Sequence, residues 1–217
     1  RGDVRLTNIG KDVKVEASRT GLVRVSGVKG NLDVNSHSGS DVQIDNIQGE
    51  VTIAGEYSGN LEFGKIAKSF HFQSHQSDFR IEKLPGDVTM DLSDLKIDNA
   101  IGPVHFKTGS RDVHIADVTD SIDIDMNRGD VEINQSRTPL PKMDVQTKNG
   151  DISLTIPPGA TYEIEGKTGN GDVNNEFGDP LQTGRDGRGG TIKGKSGVSG
   201  PQISLETNRG TLTIRKN

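Results

Sequence analysis

The sequence predicts an all-β chain folded as a single-domain parallel β-solenoid, in which each coil of about 19 residues contributes two short strands. Three observations predict this fold: short apolar–polar–apolar triplets recur, their spacing is nearly constant, and turn-forming residues separate them. Strict alternation over a few residues is typical of a strand with one buried face. A constant period favours stacked coils over a sandwich or barrel, whose strands and loops vary in length.

Two interleaved series of apolar pairs define the two strands of each coil. The first series is Val13/Val15, Leu32/Val34, Val51/Ile53, Phe70/Phe72, Val88/Met90, Val104/Phe106 and Ile122/Ile124. The second series is Val23/Val25, Val42/Ile44, Leu61/Phe63, Phe79/Ile81, Leu95/Ile97, Val113/Ile115 and Val131/Ile133. Because a parallel coil places residue i beside residue i+19, about 4.8 Å away, we expect each series to form one inward column.

The composition agrees with a thin core. Hydrophobic residues make up only 29% of the chain and aromatic residues 4%, which is low for a compact globular domain but enough for stacked coils. We expect the phenylalanines to stack in the middle coils, namely Phe63, Phe70, Phe72 and Phe79, with Phe106 further on. Residues 1–217 are predicted to form one domain, with regular coils over 1–135 and less regular coils over 136–217.

A glycine-rich segment at 178–200 interrupts the less regular part, and eight of its 23 residues are glycine. It also carries four basic residues: Arg185, Arg188, Lys193 and Lys195. The pattern is typical of a mobile, solvated hairpin or loop. It also fits a flexible contact loop for an anionic glycan or a phosphate-bearing partner.

The phrases in the second half resemble a known family. They include a recurring Gly-Asp-Val or Asn-Gly-Asp ladder, PPGATYEI at 157–164 and ISLETNRGTLTI at 203–214. The chain resembles a bacterial adhesin-type family of unknown function, a β-solenoid repeat domain of envelope and surface proteins. The resemblance covers nearly the whole chain. It implies a parallel β-solenoid outside the bacterial cytoplasm (periplasm, outer surface or secreted) and supplies no catalytic motif.

Charge and processing signals limit the partners. A net charge of −5 and a pI near 5.6 argue against non-specific binding to nucleic acid or anionic membranes. There is no cysteine, so disulfides and thiolate metal sites are excluded. No stretch is apolar enough to insert into a membrane, and because the chain begins at Arg1 within a repeat-like phrase, we expect any signal or anchor to lie upstream.

An acidic column is the most regular candidate for chemistry. Five aspartates precede second-series strands and could form a calcium ladder across coils: Asp41, Asp78, Asp94, Asp112 and Asp130. The favoured interpretation is that each caps its own turn by accepting backbone N–H bonds. The calcium-binding nonapeptide pattern is absent. We therefore predict no metal site and no cofactor.

The sequence favours a non-enzymatic, extracytoplasmic module for adhesion, envelope scaffolding or binding, with a cell-envelope glycan or a membrane protein as partner. An envelope-stress sensing module that acts on a membrane partner is the alternative. A polysaccharide-active β-helix enzyme is a more distant one, because the outward columns lack a tight carboxylate pair and the chain has no tryptophan for sugar stacking. An exposed terminal coil is an unpaired sheet edge, so end-to-end pairing or a weak homo-oligomer is also expected.

Overall fold

The computed structural model describes residues 2–18, 20–39 and 41–217. It is an all-β β-solenoid of about 8 turns, built from stacked parallel coils of about 19 residues, which confirms the predicted fold class. No helix long and apolar enough to span a membrane occurs among the described residues. The chain divides into two compact units, residues 1–106 and 107–217, and each is described separately.

The first unit contains the first eleven strands. They are Gly2–Ile9 (β1), Val13–Ala17 (β2), Thr20–Val28 (β3), Leu32–Gly39 (β4), Asp41–Ile47 (β5), Val51–Tyr57 (β6), Leu61–Ile66 (β7), Phe70–Gln73 (β8), Ser77–Met90 (β9), Asp94–Asp98 (β10) and Ile101–Thr108 (β11), the last of which ends just inside the second unit. Odd strands up to β7 stack in parallel as sheet 1A, and even strands up to β8 stack as sheet 1B.

The stacking register up to β8 is the one expected from the sequence. Val13, Leu32, Val51 and Phe70 are aligned across sheet 1B. Val23, Val42 and Leu61 are aligned across sheet 1A in the same way. Their side chains are buried, so the two columns form the predicted core.

A left-handed residue bends sheet 1A at the same place in every coil. Asn8, Gly27, Asn46 and Lys65 have φ values of 56°, 67°, 58° and 50° and are spaced nineteen residues apart. Each precedes an apolar corner residue, which in the second, third and fourth coils is fully buried: Val28, Ile47 and Ile66. The bend shifts the alternation of inward and outward side chains by one residue. The corner side chain therefore points inward although it lies three residues after another inward side chain, as Val28 does after Val25.

The chain reverses direction for one coil, which the sequence analysis did not predict. β9 runs antiparallel to β8, with Phe72 opposite Phe79, and then antiparallel to β7, with Phe63 opposite Val88. β10 in turn runs antiparallel to β9. The prediction that Val88 and Met90 stack in parallel on Phe70 and Phe72 is therefore wrong. The same residues are still buried, because an antiparallel strand in this register presents the same face to the core.

The predicted phenylalanine cluster is confirmed. Phe72 and Phe79 stack with ring centroids 4.9 Å apart, and Phe63 lies 4.8 Å from Phe70. Phe106 continues the cluster at 6.0 Å from Phe79. The rings are fully buried and occupy the middle of the first unit's core.

The second unit contains the remaining strands. They are Asp112–Ala116 (β12), Ser121–Met126 (β13), Val131–Asn134 (β14), Lys142–Thr147 (β15), Ile152–Ile156 (β16), Tyr162–Asn170 (β17), Val173–Glu176 (β18), Gln182–Asp186 (β19), Gly189–Ser196 (β20), Gln202–Arg209 (β21) and Leu212–Lys216 (β22). Sheet 2A has the order β12, β14, β16, β22, β18, and sheet 2B has the order β13, β15, β21, β17, β20, β19.

The last coil of the chain is inserted between two earlier ones. β21 lies between β15 and β17, and β22 lies between β16 and β18, and all of these pairs are parallel. Strands β17 and β18 therefore do not stack directly on β15 and β16. The last two strands of the chain, β21 and β22, lie between them. This accounts for the less regular period predicted for residues 136–217.

The recurring Thr-x-x-Gly phrase joins these coils in their spatial order. The Thr207 hydroxyl donates to the Gly150 carbonyl at 2.9 Å, and the Thr168 hydroxyl donates to the Gly210 carbonyl at 2.8 Å. Gly210 has a φ of 151°, and a Cβ there would overlap the Gly150 carbonyl. The phrase is therefore a stacking device in which glycine allows close approach of two backbones.

Replacing Lys65 with glycine is expected to stabilise the protein by about 1 kcal/mol, because a side chain in the left-handed region strains the backbone. Thermal unfolding of Lys65→Gly measures the effect. Lys65→Ala is the control, since it also removes the exposed ion pair with Asp45 but keeps a Cβ. Equal melting temperatures for the two variants would contradict the expectation.

Replacing Phe72 with alanine is expected to destabilise the protein by about 3–5 kcal/mol, because a fully buried ring between Phe63 and Phe79 leaves a cavity. Denaturant unfolding followed by circular dichroism gives the free energy. Leu92→Ala, at a side chain that is 65% exposed, serves as the control and should change it by less than about 0.5 kcal/mol.

Replacing Gly210 with alanine is expected to cost at least about 2 kcal/mol, because of the positive φ and of the overlap with the neighbouring coil. Gly10→Ala is the control, since a Cβ at Gly10 has nothing within 4 Å. Hydrogen exchange should show the loss first in β16, β18 and β22. Unchanged protection there would contradict the inserted position of the last coil.

Candidate functional site

The aspartate side chains bind the backbone of the neighbouring coil. Asp41 Oδ1 accepts the Asn60 N–H at 2.9 Å, Asp112 Oδ1 accepts the Asp130 N–H at 2.9 Å, and Asp130 Oδ1 accepts the Asp151 N–H at 2.8 Å. The expectation that each aspartate caps its own turn is therefore wrong for these three, because the N–H group that each accepts belongs to the neighbouring coil. These carboxylates cap the next coil, and so help to fix the register between coils.

Of the five aspartates considered as a calcium ladder, Asp112 and Asp130 lie on adjacent coils of the second unit, whereas those of the first unit do not form a column. Asp78 lies on the reversed strand β9, where its Oδ1 is 3.0 Å from His71 Nε2. Asp94 follows a tight turn in which its N–H donates to Asp91 Oδ1 at 2.8 Å. Among the described residues, no group of three or more His, Cys, Asp or Glu side chains is arranged to hold a metal ion.

The outer face of sheet 1A has a polar ladder and a shallow concavity. Arg24 Nε donates to Gln43 Oε1 at 2.8 Å, and Gln43 Nε2 donates to Glu62 Oε2 at 3.2 Å. The concavity beside this ladder has a volume of about 510 Å³. On its floor Asp45 and Asp87 approach each other across Gly64, a pair that the sequence analysis missed because only the reversal of β9 brings Asp87 there.

The glycine-rich segment at 178–200 contains a β-hairpin, one of the two forms expected from the sequence. β19 and β20 are antiparallel, and β20 also pairs with β17. Ile192 is fully buried, while Gly190 and Gly194 pack against Val173 and Leu181. The glycines therefore allow this hairpin to pack closely against its neighbours.

The four basic residues proposed as a binding loop lie on different faces of the hairpin. Lys193 is opposite Glu165 and Lys195 is opposite Glu163, with Nζ to carboxylate distances of 2.6 and 3.7 Å. The hydrogen bond and charge of Lys193 lower the pKa of the Glu165 carboxyl. These two lysines are thus engaged in cross-strand ion pairs.

Arg185 and Arg188 lie instead in a cleft of about 380 Å³ between the hairpin and β18. Arg185 is opposite Gly190 across the hairpin, so nothing covers it from that strand. Within the described residues neither arginine has a carboxylate partner in an ion pair. The rest of the lining is mostly glycine: 171, 184, 187, 189 and 190.

This cleft, hereafter the arginine cleft, is suited to binding an anion. A guanidinium offers a planar fork of donors that matches carboxylate and phosphate groups. Glycine walls let a ligand approach the main chain closely. Asp172 at the rim reduces the local positive charge, so the cleft favours a defined anionic group over a diffuse polyanion.

Comparison with known proteins gives a family. The sequence profile of the Toastrack DUF4097 family, a β-solenoid-like repeat family of unknown function, matches residues 1–215. No curated protein and no solved structure matches the chain.

Proposed function

The chain belongs to the Toastrack DUF4097 family, and from that premise we propose that it is a non-enzymatic binding module that works outside the bacterial cytoplasm. Its role is adhesion or scaffolding in the cell envelope, and its partner is an anionic group of an envelope glycan or of a membrane protein. The contact is made in the arginine cleft.

The observation that carries this proposal is the contrast between the two faces of one hairpin. Lys193 and Lys195 are neutralised by Glu165 and Glu163, whereas Arg185 and Arg188 face a concave, glycine-lined space without such partners. Cations held near an open cleft favour an anionic ligand over a purely structural role. If the partner is a membrane protein, the same contact also serves the alternative of a sensing module.

Retention of the purified chain on immobilised envelope fractions tests the proposal. We expect saturable retention on a glycan fraction or on solubilised membrane proteins, and at least a tenfold loss for the variant Arg185→Gln/Arg188→Gln. The matched control is Lys193→Gln/Lys195→Gln, which removes the same charge from the other face of the same hairpin and should retain binding.

Equal losses of retention in both variants would mean that binding depends on total charge and not on the arginine cleft, and would contradict the proposal. Release of depolymerised glycan into the supernatant would contradict its non-enzymatic part.

A further inference from the structure

The inward column of sheet 2A ends at Val173 in the arginine cleft. Val131, Ile152 and Leu212 precede it in register and are buried by strands on both sides. Val173 is only partly buried, because β18 pairs with β22 and with no other described strand. Gly190 of the hairpin packs against the Val173 side chain, and the cleft opens beside both residues.

The free edge of β18 offers main-chain groups to the cleft. The Leu212 N–H donates to the Asp172 carbonyl at 2.9 Å, so Asp172 and Asn174 direct their main-chain groups toward β22. By alternation, Val173 directs its N–H and C=O away from β22, toward the cleft. Asn175, two residues further along β18, hydrogen-bonds through its side chain to the main chain of Leu181 and Gly178, so the segment after β18 lies beside it. The open edge is therefore short and centred on Val173.

The hairpin forms the other wall. Thr183 is opposite Ile192 and Arg185 is opposite Gly190, so these residues share the face turned from the paired lysines. At one end of the cleft the Gly171 N–H donates to the Arg188 carbonyl at 3.4 Å, and this hydrogen bond connects the hairpin turn to the coil. An occupant would thus lie between an open strand edge and a wall that contains Arg185 and Arg188.

The absence of aromatic residues from the lining of the arginine cleft argues for a peptide rather than a sugar. The chain has no tryptophan and two tyrosines. Tyr162 is fully buried, and Tyr57 belongs to the other unit. An unpaired strand edge is instead the arrangement that proteins use to add an extended peptide to a sheet.

We infer that the arginine cleft binds an extended acidic segment of a protein partner, which adds to sheet 2A beside β18. Its main chain pairs with Val173, and its carboxylates bind Arg185 and Arg188. The inference rests on the proposed function and names the class of partner.

A fluorescent peptide of about ten residues that alternates Glu and Val is the probe, titrated against the whole chain. We expect saturable binding that weakens at least tenfold in Arg185→Gln/Arg188→Gln and stays within twofold in Lys193→Gln/Lys195→Gln. N-methylation of alternate peptide amides should also weaken binding at least tenfold in one of the two registers, because it removes main-chain donors and leaves the charge. Amide exchange at Val173 should slow on binding.

Two outcomes overturn the inference. Peptide binding that is indifferent to N-methylation in both registers would mean charge attraction without strand pairing. Tighter binding of a polyglucuronate oligosaccharide, lost in the arginine variant and without slowed exchange at Val173, would mean a glycan ligand; the proposed function would then stand and only the peptide would fail. The proposed function itself fails when retention on envelope fractions does not depend on Arg185 and Arg188.

Discussion

The main-chain ladder between successive coils is the constraint on which the rest of the structure depends. A single coil has two strands of a few residues and cannot bury its apolar side chains alone, so each coil needs a neighbour in register. A slip of one residue would turn the apolar column outward. The left-handed bends at Asn8, Gly27 and Asn46 and the carboxylate of Asp41 on the next coil oppose such a slip, because they recur at the coil period and bind specific backbone groups.

The sequence predicted the columns well but not the direction of every strand. Up to Phe72 the apolar pattern and the stacking order are the same, so periodicity alone was sufficient. At β9 the chain makes two tight turns instead, closed by the Ser74 N–H on the Ser77 carbonyl and the Asp91 N–H on the Asp94 carbonyl. Spacing does not reveal the first of them, because Phe72 and Phe79 are seven residues apart, as are Ile124 and Val131 between parallel coils. Parallel and antiparallel strands bury the same alternate residues, so the hydrophobic pattern does not distinguish them.

The second unit adds a different difficulty, since order in the chain is not order in space. The phrases beginning at Thr147, Thr168 and Thr207 each contain a glycine that lies close to a carbonyl of the neighbouring coil, although only the Thr168 and Thr207 hydroxyls bind such a carbonyl. The sequence therefore identifies three coils but not which one lies between the others. The same limit applies to the site. Sequence composition identified all four basic residues of the hairpin, but only the pairing of β17 with β20 and the cleft lining separate the neutralised lysines from the arginines.

The arginine cleft follows from how the stack ends in the second unit. Sheet 2B continues beyond β17 with the hairpin β19–β20, whereas sheet 2A ends at β18, so one sheet overhangs the unpaired edge of the other. An open strand edge invites pairing with any extended chain, including a second copy of the same protein. Arg185 and Arg188 bias that choice, because two identical cationic clefts repel each other while an acidic strand is attracted. The charges that favour a partner at this edge therefore also oppose self-association through it.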